Sequence, residues 1–299
     1  MNCCADNLAG QASAAVSPTM AGIARKAVAS LHAELALYPK PGLVSLVDNG
    51  SHVDMTAVTF LRSLFTLRHY FSEIALAGSS SAGFDDLVRL GMAAEQRMLV
   101  ATGGVNTHRG AIFFLGLLCA AAGLLTRHRQ ASAAITPQVL RAAIGQQWGD
   151  ALMRHGRQRP PAAHGTRAAV VHGAGGARLQ AASGMPAVFD IALPALQQTL
   201  AAGRSLHCAR TDALFSLMAQ LDDSNVYHRG GADGALLVRE IGQHFMDCGG
   251  TADPHWHATA LAAHRLLMSK RLSPGGAADL LAATCLVHAL ASPGKSADR

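Results

Sequence analysis

Five short polar segments, each containing glycine, interrupt an otherwise apolar chain. Their sequences are YPKPGLVSLVDNGSHVDM, TGGVNTHRG, HGAGGAR, LDDSNVYHRGG and LSPGGAADLL. Each one falls where a predicted helix begins or ends. Backbone N–H groups and the helix dipole favour an anion at a helix start, and glycine lets the backbone approach a ligand closely. If a helical bundle gathers these ends on one side, they form one polar pocket suited to a phosphorylated ligand.

The segment TGGVNTHRG stands directly before an apolar run. Thr107 is the predicted N-cap of the next helix, which puts His108 and Arg109 in its first turn. Cations there oppose the helix dipole unless a phosphate is bound, and Gly103 and Gly104 would let the backbone come close to that phosphate. The alternative is a helix C-cap followed by an ordinary N-cap, with His108 and Arg109 facing water. The segment alone does not decide between the two.

The segment LDDSNVYHRGG holds the best candidates for a metal site. Asp222 and Asp223 are predicted at the C-terminal end of an amphipathic helix, where negative charge is disfavoured. Mg²⁺, which proteins commonly hold through one or two carboxylates plus substrate phosphates, would relieve that cost. The alternative is a solvated helix end. Because Asn225, His228 and Arg229 add polar groups nearby, the two alternatives are equally supported.

Two further candidates lie in the first polar segment. Lys40 stands between two prolines, whose rigid backbone would hold it for a phosphate contact, although a surface lysine in a turn fits equally well. His52 and Asp54 are two residues apart in a predicted loop and could converge on one ligand. Asp54 could also cap the helix that follows.

The segment LSPGGAADLL is typical of a helix start. Ser273 is the predicted N-cap, Pro274 takes the first helical position, and Asp279 follows about a turn and a half later. Gly275 and Gly276 weaken a helix by about 1 kcal/mol each relative to alanine. Their presence therefore indicates that a ligand or another helix approaches closely at this point.

The elements that position these groups are predicted to be helices. The chain has 299 residues, of which 50% are hydrophobic and only 5% aromatic, and the strong helix formers alanine and leucine dominate. We therefore expect an all-α fold, a single-domain multi-helix bundle over residues 21–292 whose glycine-rich polar loops converge on one nucleotide pocket. Residues 1–20 are predicted to be a disordered N-terminal tail and residues 293–299 a flexible C-terminal tail.

The formal charge of +6 favours an anionic partner. Nucleic acid is not expected, because neither a dense lysine and arginine run nor interleaved aromatic residues occur. The longest apolar run, residues 112–125, is shorter than the roughly 20 residues that span a bilayer, so we predict a core helix and no membrane. The cysteines show no disulfide framework and the N-terminus no convincing signal peptide, which together predict the cytoplasm.

Taken together, the polar segments resemble the triphosphoribosyl-dephospho-CoA synthases. The matching stretches are YPKPGLVSLVDNGSHVDM, TGGVNTHRGAIFFLGLLCAAAG, LDDSNVYHRGG and LSPGGAADLLA, in the family's order, from about residue 34 to 283. The chain departs from the family at residues 176–181, which read GARLQA instead of GARGEA. Leu179 and Gln180 thus replace a glycine and a glutamate, so we assign no catalysis to that loop.

The resemblance implies a reaction between ATP and 3′-dephospho-CoA. The ribose of ATP is joined to the 2′-hydroxyl of the acceptor, adenine is released, and the product is 2′-(5″-triphosphoribosyl)-3′-dephospho-CoA. A separate transferase then attaches this prosthetic-group precursor to the acyl-carrier subunit of citrate lyase or malonate decarboxylase. The product has the inverted configuration at the ribose carbon, which implies a single displacement without a covalent nucleophile. By analogy with inverting glycosidases, a carboxylate would take the proton from the attacking hydroxyl.

The candidate residues receive provisional roles on this basis. The candidate catalytic carboxylates are Asp222 and Asp223, as ligands of Mg²⁺ on the triphosphate or as the base, and also Asp54 and Glu34. The candidates for phosphate binding are Lys40, His108, Arg109 and Arg229, and those for orienting ribose or base are Asn106, Asn225 and His52. The remaining substrate-binding candidates are Gly103, Gly104, Thr107, Arg178, His228, Ser273, Gly275, Gly276 and Asp279.

Two other functions stay open at this level. One is a Mg²⁺-dependent N-glycoside hydrolase of ADP-ribose-like compounds, which the aspartate pair would also serve. The other is a non-catalytic module that binds nucleotides or a carrier protein, which the GARLQA departure keeps open. The sequence is compatible with a homodimer but does not fix the oligomeric state.

Overall fold

The computed structural model describes residues 18–128, 135–157 and 176–292. Within these ranges the chain forms helices joined by turns and loops, and no strand occurs, which confirms the predicted all-α fold. A π-helical turn (Ala187–Ala192) leads into the seventh helix, and a 3₁₀ turn (Gly250–Ala252) precedes the tenth. The helices are α1 (Pro18–Leu35), α2 (Ala57–Ser79), α3 (Phe84–Ala101), α4 (Arg109–His128), α5 (Pro137–Arg157), α6 (Gly176–Ala182), α7 (Leu193–Ala201), α8 (Leu206–Gln220), α9 (Ser224–Asp247), α10 (Trp256–Ser269) and α11 (Gly275–Ala291).

Helix α4 lies at the centre of the core. Leu115, Leu118 and Cys119 have no exposed surface. By length and composition the stretch Arg109–Arg127 could cross a bilayer, but 72% of its apolar window is buried inside the protein. This burial is what a core helix requires, as the sequence predicted.

Helices α2 and α4 touch backbone to backbone. A Cβ atom on Gly78 would overlap the carbonyl of Ala120, and a Cβ atom on Gly123 would overlap the carbonyl of Ala75. This reciprocal pattern of small residues lets the two helices approach more closely than larger side chains would allow. It fixes the position of α4, whose first residues belong to the segment TGGVNTHRG.

Helix α11 is the second apolar core helix. Leu281, Leu286 and Val287 are fully buried, and the helix packs against α1, α4 and α8. The first residues of α4 and α11 meet at the C-terminal end of α1. Three of the predicted polar segments therefore lie at one end of the bundle.

Some boundaries differ from the predicted ones. Helix α1 begins at Pro18, so residues 18–20 are helical and the predicted tail is shorter at that side. Helix α2 is capped by Thr56 rather than by Asp54, because the Thr56 hydroxyl accepts the backbone N–H of Thr59 at 3.3 Å. Residues 1–17 and 293–299, the rest of the two predicted tails, lie outside the described residues.

Candidate active site

The N-terminal ends of α4, α9 and α11 meet the C-terminal end of α1 at one place, which we call the junction. Gly110 of α4 lies against the carboxylate of Asp279 on α11, with no room for a Cβ atom between them. A Cβ atom on Gly276 would lie 3.0 Å from the carboxylate of Asp223, and one on Gly275 would lie 2.9 Å from Nδ2 of Asn225. The close approach that the glycine pair predicted is therefore confirmed, and the approaching group is the start of another helix.

Asp223 joins the starts of two helices. It is the N-cap of α9, and its carboxylate accepts the backbone N–H groups of Asn225 at 2.9 Å and Ala277 at 3.0 Å. Burial raises the pKa of this carboxyl, while these and neighbouring N–H groups lower it. The predicted position at a helix C-terminus is wrong because α8 ends at Gln220. The carboxylate instead lies where helix dipoles favour negative charge.

Asp222, the neighbouring residue, has different partners. Its carboxylate accepts a hydrogen bond from the Tyr227 hydroxyl at 3.2 Å and lies 3.4 Å from Nη1 of Arg239. Its side chain is 52% exposed, whereas Asp223 is buried. Among the described residues, no three histidine, cysteine, aspartate or glutamate side chains are grouped to hold a metal ion. Binding of Mg²⁺ by Asp222 and Asp223 together stays a prediction, and the different surroundings of the two carboxylates count against it.

Glu34 and Lys40 form a buried ion pair. The Lys40 ammonium donates to Oε1 of Glu34 at 2.5 Å and to the Glu34 backbone carbonyl at 2.9 Å. Burial raises the pKa of Glu34 and lowers that of Lys40, while the contact between them opposes both shifts. Lys40 is only 1% exposed, so the surface-lysine alternative is wrong. A phosphate would have to compete with Glu34 for this ammonium.

His108 is buried and neutral. Its Nδ1 lies 2.6 Å from the Ser63 hydroxyl, and Phe60 packs edge-on against its ring. Burial, with the nearby Lys40 charge, lowers its pKa to about 3. It therefore contributes no positive charge to phosphate binding, and the alternative in which it faces water is wrong. In the described structure, Nε2 of His108 and Oγ1 of Thr107 are buried without a hydrogen-bond partner.

The rest of the segment TGGVNTHRG serves local structure. Asn106, rather than the predicted threonine, caps α4, because its Oδ1 accepts the backbone N–H of Arg109 at 3.1 Å. The Arg109 side chain donates from Nε to Glu95 at 2.6 Å on the surface. Gly103 and Gly104 have φ angles of 67° and 90° and end α3, which confirms the C-cap alternative for them.

His52 links three polar residues beside the junction. Its Nε2 lies 2.9 Å from Oγ of Ser273, and its Nδ1 lies 3.0 Å from Nη2 of Arg229 and 3.7 Å from Asp54. Burial and the Arg229 charge lower the pKa of His52, which keeps it neutral. Because arginine can only donate, Nδ1 accepts and the neutral ring carries its proton on Nε2. The Ser273 hydroxyl thus accepts from His52 and keeps its own proton for another acceptor.

The Ser273 hydroxyl is available for the contact with His52 because it does not cap helix α11. Helix α11 begins at Gly275 with Pro274 at its N-cap position, and no side chain at that position caps the helix. The predicted N-cap is therefore wrong. The acceptor for this helix start comes from Asp223 instead.

Arg229 is the most available cation next to the junction. It donates to the backbone carbonyls of Ser51 at 3.3 Å and Arg271 at 3.2 Å, in addition to His52. Its side chain is exposed, and it makes no ion pair with a carboxylate among the described residues. Asn225 and His228 precede it on the first turns of α9 and are also exposed.

Asp279 is the third carboxylate of the junction. It accepts the backbone N–H of Ala111, keeps part of its surface accessible, and makes no hydrogen bond or ion pair with any side chain in the described ranges. Burial, followed by the negative charges of Glu34 and Asp223, raises its pKa well above the usual value. The sequence indicated Asp279 as a helix-start residue and a substrate-binding candidate, but not as a base. It gave no sign that two distant carboxylates would share its surroundings.

Arg178 lies apart from these residues. It belongs to α6, which packs against α5, and its charge acts on His155 of that helix. Nearby, Oε1 of Gln180 accepts the backbone N–H of Ala187 at 3.2 Å, so this departure from the family pattern has a structural role. Most of the segment HGAGGAR lies outside the described residues.

Comparison with known proteins identifies the family. The model of the ATP:dephospho-CoA triphosphoribosyl transferase family matches residues 20–297. A probable 2-(5''-triphosphoribosyl)-3'-dephosphocoenzyme-A synthase of Acinetobacter calcoaceticus is 36% identical over 85% of this chain and 86% of its own. The synthase of Pectobacterium atrosepticum is 39% identical over 87% of this chain and 86% of its own. No solved structure matches the chain. Since the family model covers nearly all of the sequence and the relatives match most of theirs, the chain belongs to the ATP:dephospho-CoA triphosphoribosyl transferase family.

Proposed function

We propose that the junction is where this chain transfers the triphosphoribosyl group of ATP to the 2′-hydroxyl of 3′-dephospho-CoA, with release of adenine. Family membership makes the chain a transferase that produces a prosthetic-group precursor. The observation that supports the junction is the gathering of Glu34, Asp223 and Asp279 where four helix ends meet. Cleavage of the bond between ribose and adenine places positive charge on the ribose, and fixed anions nearby stabilise that charge.

The triphosphate, in this proposal, binds beside the acidic cluster at Arg229 and Ser273. Arg229 makes no ion pair with a carboxylate in the described structure, so binding a phosphate there breaks none. The Ser273 hydroxyl, which already accepts from His52, can donate its proton to a phosphate oxygen. Lys40 and Arg109, by contrast, are each paired with a glutamate. A phosphate that replaces one of those ion pairs gains less binding free energy than a phosphate that binds Arg229, because an existing ion pair must first be broken.

The uncharged part of the substrate meets His108 and Thr107. An unsatisfied buried polar atom costs about 1–3 kcal/mol, and His108 Nε2 and Thr107 Oγ1 both carry that cost in the described structure. A nitrogen of adenine or a hydroxyl of ribose would satisfy one of them. Because His108 is neutral, its hydrogen bond suits a neutral group better than it suits a phosphate.

Magnesium enters this proposal as a companion of ATP. Mg²⁺ usually keeps several waters and binds substrate phosphates together with one or two carboxylates. The residues predicted to hold it do not fit a shared site well: Asp222 points to Tyr227 and Arg239, and Asp223 is occupied by backbone N–H groups. No step of the proposed reaction depends on a metal held by these two residues.

The product's destination rests on the resemblance stated above. We place the reaction in the cytoplasm, with the product passed to a transferase that acts on the acyl-carrier subunit of citrate lyase or malonate decarboxylase. A homodimer stays a prediction. Co-purification of the chain with a carrier subunit and its transferase would test the first point, and sedimentation of the purified chain would test the second.

The proposed function is tested by incubating the protein with ATP, Mg²⁺ and 3′-dephospho-CoA and leaving out each in turn. Free adenine and the coupled product are followed by mass spectrometry. We expect adenine only when ATP and acceptor are both present, together with a product that carries the extra triphosphoribosyl mass. Adenine without acceptor would instead indicate the N-glycoside hydrolase. ATP binding without any adenine would indicate the non-catalytic module.

A further inference from the structure

Asp279 differs from the other two carboxylates of the junction in what surrounds it. Glu34 is neutralised by Lys40, and Asp223 is held by the backbone N–H groups of α9 and α11. Asp279 accepts the single backbone N–H of Ala111, and the described side chains offer it no hydrogen bond or ion pair. Its residue is partly exposed, whereas Glu34 and Asp223 are each only 4% exposed. Of the three carboxylates, Asp279 is therefore the one that a substrate hydroxyl is best placed to approach.

We propose that Asp279 is the general base that takes the proton from the 2′-hydroxyl of 3′-dephospho-CoA as this oxygen attacks C1′ of the ATP ribose. The proposal rests on the function proposed above. The O–C1′ bond forms while the C1′–N9 bond breaks, and the bonding electron pair leaves with adenine. The hydroxyl proton moves to Asp279, and adenine takes one proton from solvent. Asp279 then returns its proton to solvent, so that atoms and charges balance.

The packing around Asp279 fixes the direction of its carboxylate. Gly110 of α4 touches it on one side, where a Cβ atom would lie 2.9 Å from Cγ of Asp279. The next residue of α4, Ala111, supplies the backbone N–H. This arrangement holds the carboxylate against the start of α4, the helix that directly follows His108, whose Nε2 has no hydrogen-bond partner in the described structure. Two groups that can still bond to a substrate thus belong to one helix start.

The surroundings of Asp279 make it a stronger base than an ordinary aspartate. Burial raises its pKa most, the negative charges of Glu34 on α1 and Asp223 before α9 raise it further, and the N–H of Ala111 lowers it. A base whose pKa lies closer to the working pH takes a proton more effectively in the transition state. If Asp279 did not act as a base, its negative charge beside Glu34 and Asp223 would only lower the free energy of unfolding.

The test is Asp279→Asn, with Asp150→Asn as the matched control. Asp150 is exposed on α5 and carries the same chemical change away from the junction. We expect Asp279→Asn to lower kcat by about 10²–10⁴-fold, the usual contribution of a general base, with KM for ATP unchanged. The control is expected to match wild type. A kcat of Asp279→Asn within a few-fold of wild type, on the order of ordinary structural effects, would overturn the proposal.

Folding is checked in the same variants by thermal unfolding. An asparagine removes a negative charge that lies beside two others, so at pH 8 the Tm of Asp279→Asn should equal or exceed that of wild type. If it falls instead, Gly110→Ala provides a second variant, because its Cβ atom displaces the carboxylate without changing any charge. Gly110→Ala should then lower kcat more than it changes KM. A larger effect on KM would contradict the proposal.

The pH dependence separates a base from a structural carboxylate. In wild type, kcat/KM should fall as the pH drops through the raised pKa of Asp279, because the protonated carboxyl cannot accept a proton. This fall in kcat/KM at low pH should disappear in Asp279→Asn. Any fall caused by protonation of the substrate phosphates should occur in all variants. If wild type itself releases no adenine, the proposed function fails. If wild type is active and the same fall persists in Asp279→Asn, only the role of Asp279 fails.

Discussion

The segments TGGVNTHRG and LSPGGAADLL each place a glycine pair at a helix end, and the two pairs exist for different physical reasons. Gly103 and Gly104 have positive φ angles, and a Cβ atom on either would meet no atom within 4 Å. Gly275 and Gly276 have no positive φ, but a Cβ atom on Gly275 would press on Asn225 and one on Gly276 on Asp223, both at the start of α9. The first pair is needed for its backbone conformation and the second for space. A glycine pair in a sequence does not reveal which.

The largest expected effect concerns the residue that occupies the space beside the second pair. Asp223→Ala removes the N-cap of α9 and the acceptor for the buried N–H of Ala277. A lost cap and an unsatisfied donor together should lower the free energy of unfolding by about 2–4 kcal/mol. Urea denaturation measures this loss. Asp222→Ala, which removes an exposed ion pair and an exposed hydrogen bond from Tyr227, is the control and should cost less than about 1 kcal/mol. Equal losses would show that Asp223 does not anchor the junction.

Larger side chains at Gly276 should come next. A Cβ atom there lies 3.0 Å from the Asp223 carboxylate, which cannot move without giving up its backbone hydrogen bonds. We expect Gly276→Ala to cost about 1–3 kcal/mol of unfolding free energy through overpacking, and Gly276→Asn to cost more because it is larger. Gly275→Ala should cost less, since its neighbour Asn225 is exposed and can move. A greater loss at Gly275 than at Gly276 would contradict this account.

At Gly104, in the first pair, we expect asparagine to cost less than alanine, which is the opposite of the order expected at Gly276. Gly104→Ala forces a Cβ atom into the left-handed region and should cost about 1–2 kcal/mol. Gly104→Asn should cost less, because asparagine tolerates that region and the space around Gly104 is open. The decisive result is the comparison of Tm values: alanine should be the milder substitution at Gly276, and asparagine the milder one at Gly104. If alanine is the milder substitution at both positions, the contrast between conformation and space is wrong.

Much of the fold followed from local pattern, whereas the caps did not. The dominance of alanine and leucine predicted a helical bundle, and the apolar run of α4 predicted a core helix. The caps predicted at Asp54, Thr107 and Ser273 were all wrong. Their residue types suit a cap, but each neighbouring loop places its backbone elsewhere. A cap depends on the φ and ψ angles of one residue, which its own identity constrains only weakly.

The sequence predicted which segments form the site, but it did not predict which side chains contact one another there. The polar segments do converge, and the glycine pair of α11 correctly indicated close approach. The predicted phosphate ligand Lys40 instead faces Glu34, and His108 is buried and neutral. Those outcomes depend on which residue of α1 or α2 lies opposite each side chain. Glu34 is 6 positions from Lys40 and Ser63 is 45 from His108, and no spacing pattern within a single helix predicts either contact. For the same reason the sequence did not single out Asp279 as a base.

The smallest expected effect lies where the chain departs from its family. In Gln180 the amide oxygen accepts the N–H of Ala187 at 3.2 Å, and a glutamate carboxylate could accept the same hydrogen bond. Gln180→Glu should therefore change the Tm by little, within the effect of about 0.5 kcal/mol typical of surface substitutions. The adenine-release rate should also match wild type, because in the described structure no contact of Gln180 reaches the junction. A rise in rate of about tenfold, equivalent to 1.4 kcal/mol in the barrier, would show that the glutamate of the family acts in catalysis and that the junction is incomplete without α6.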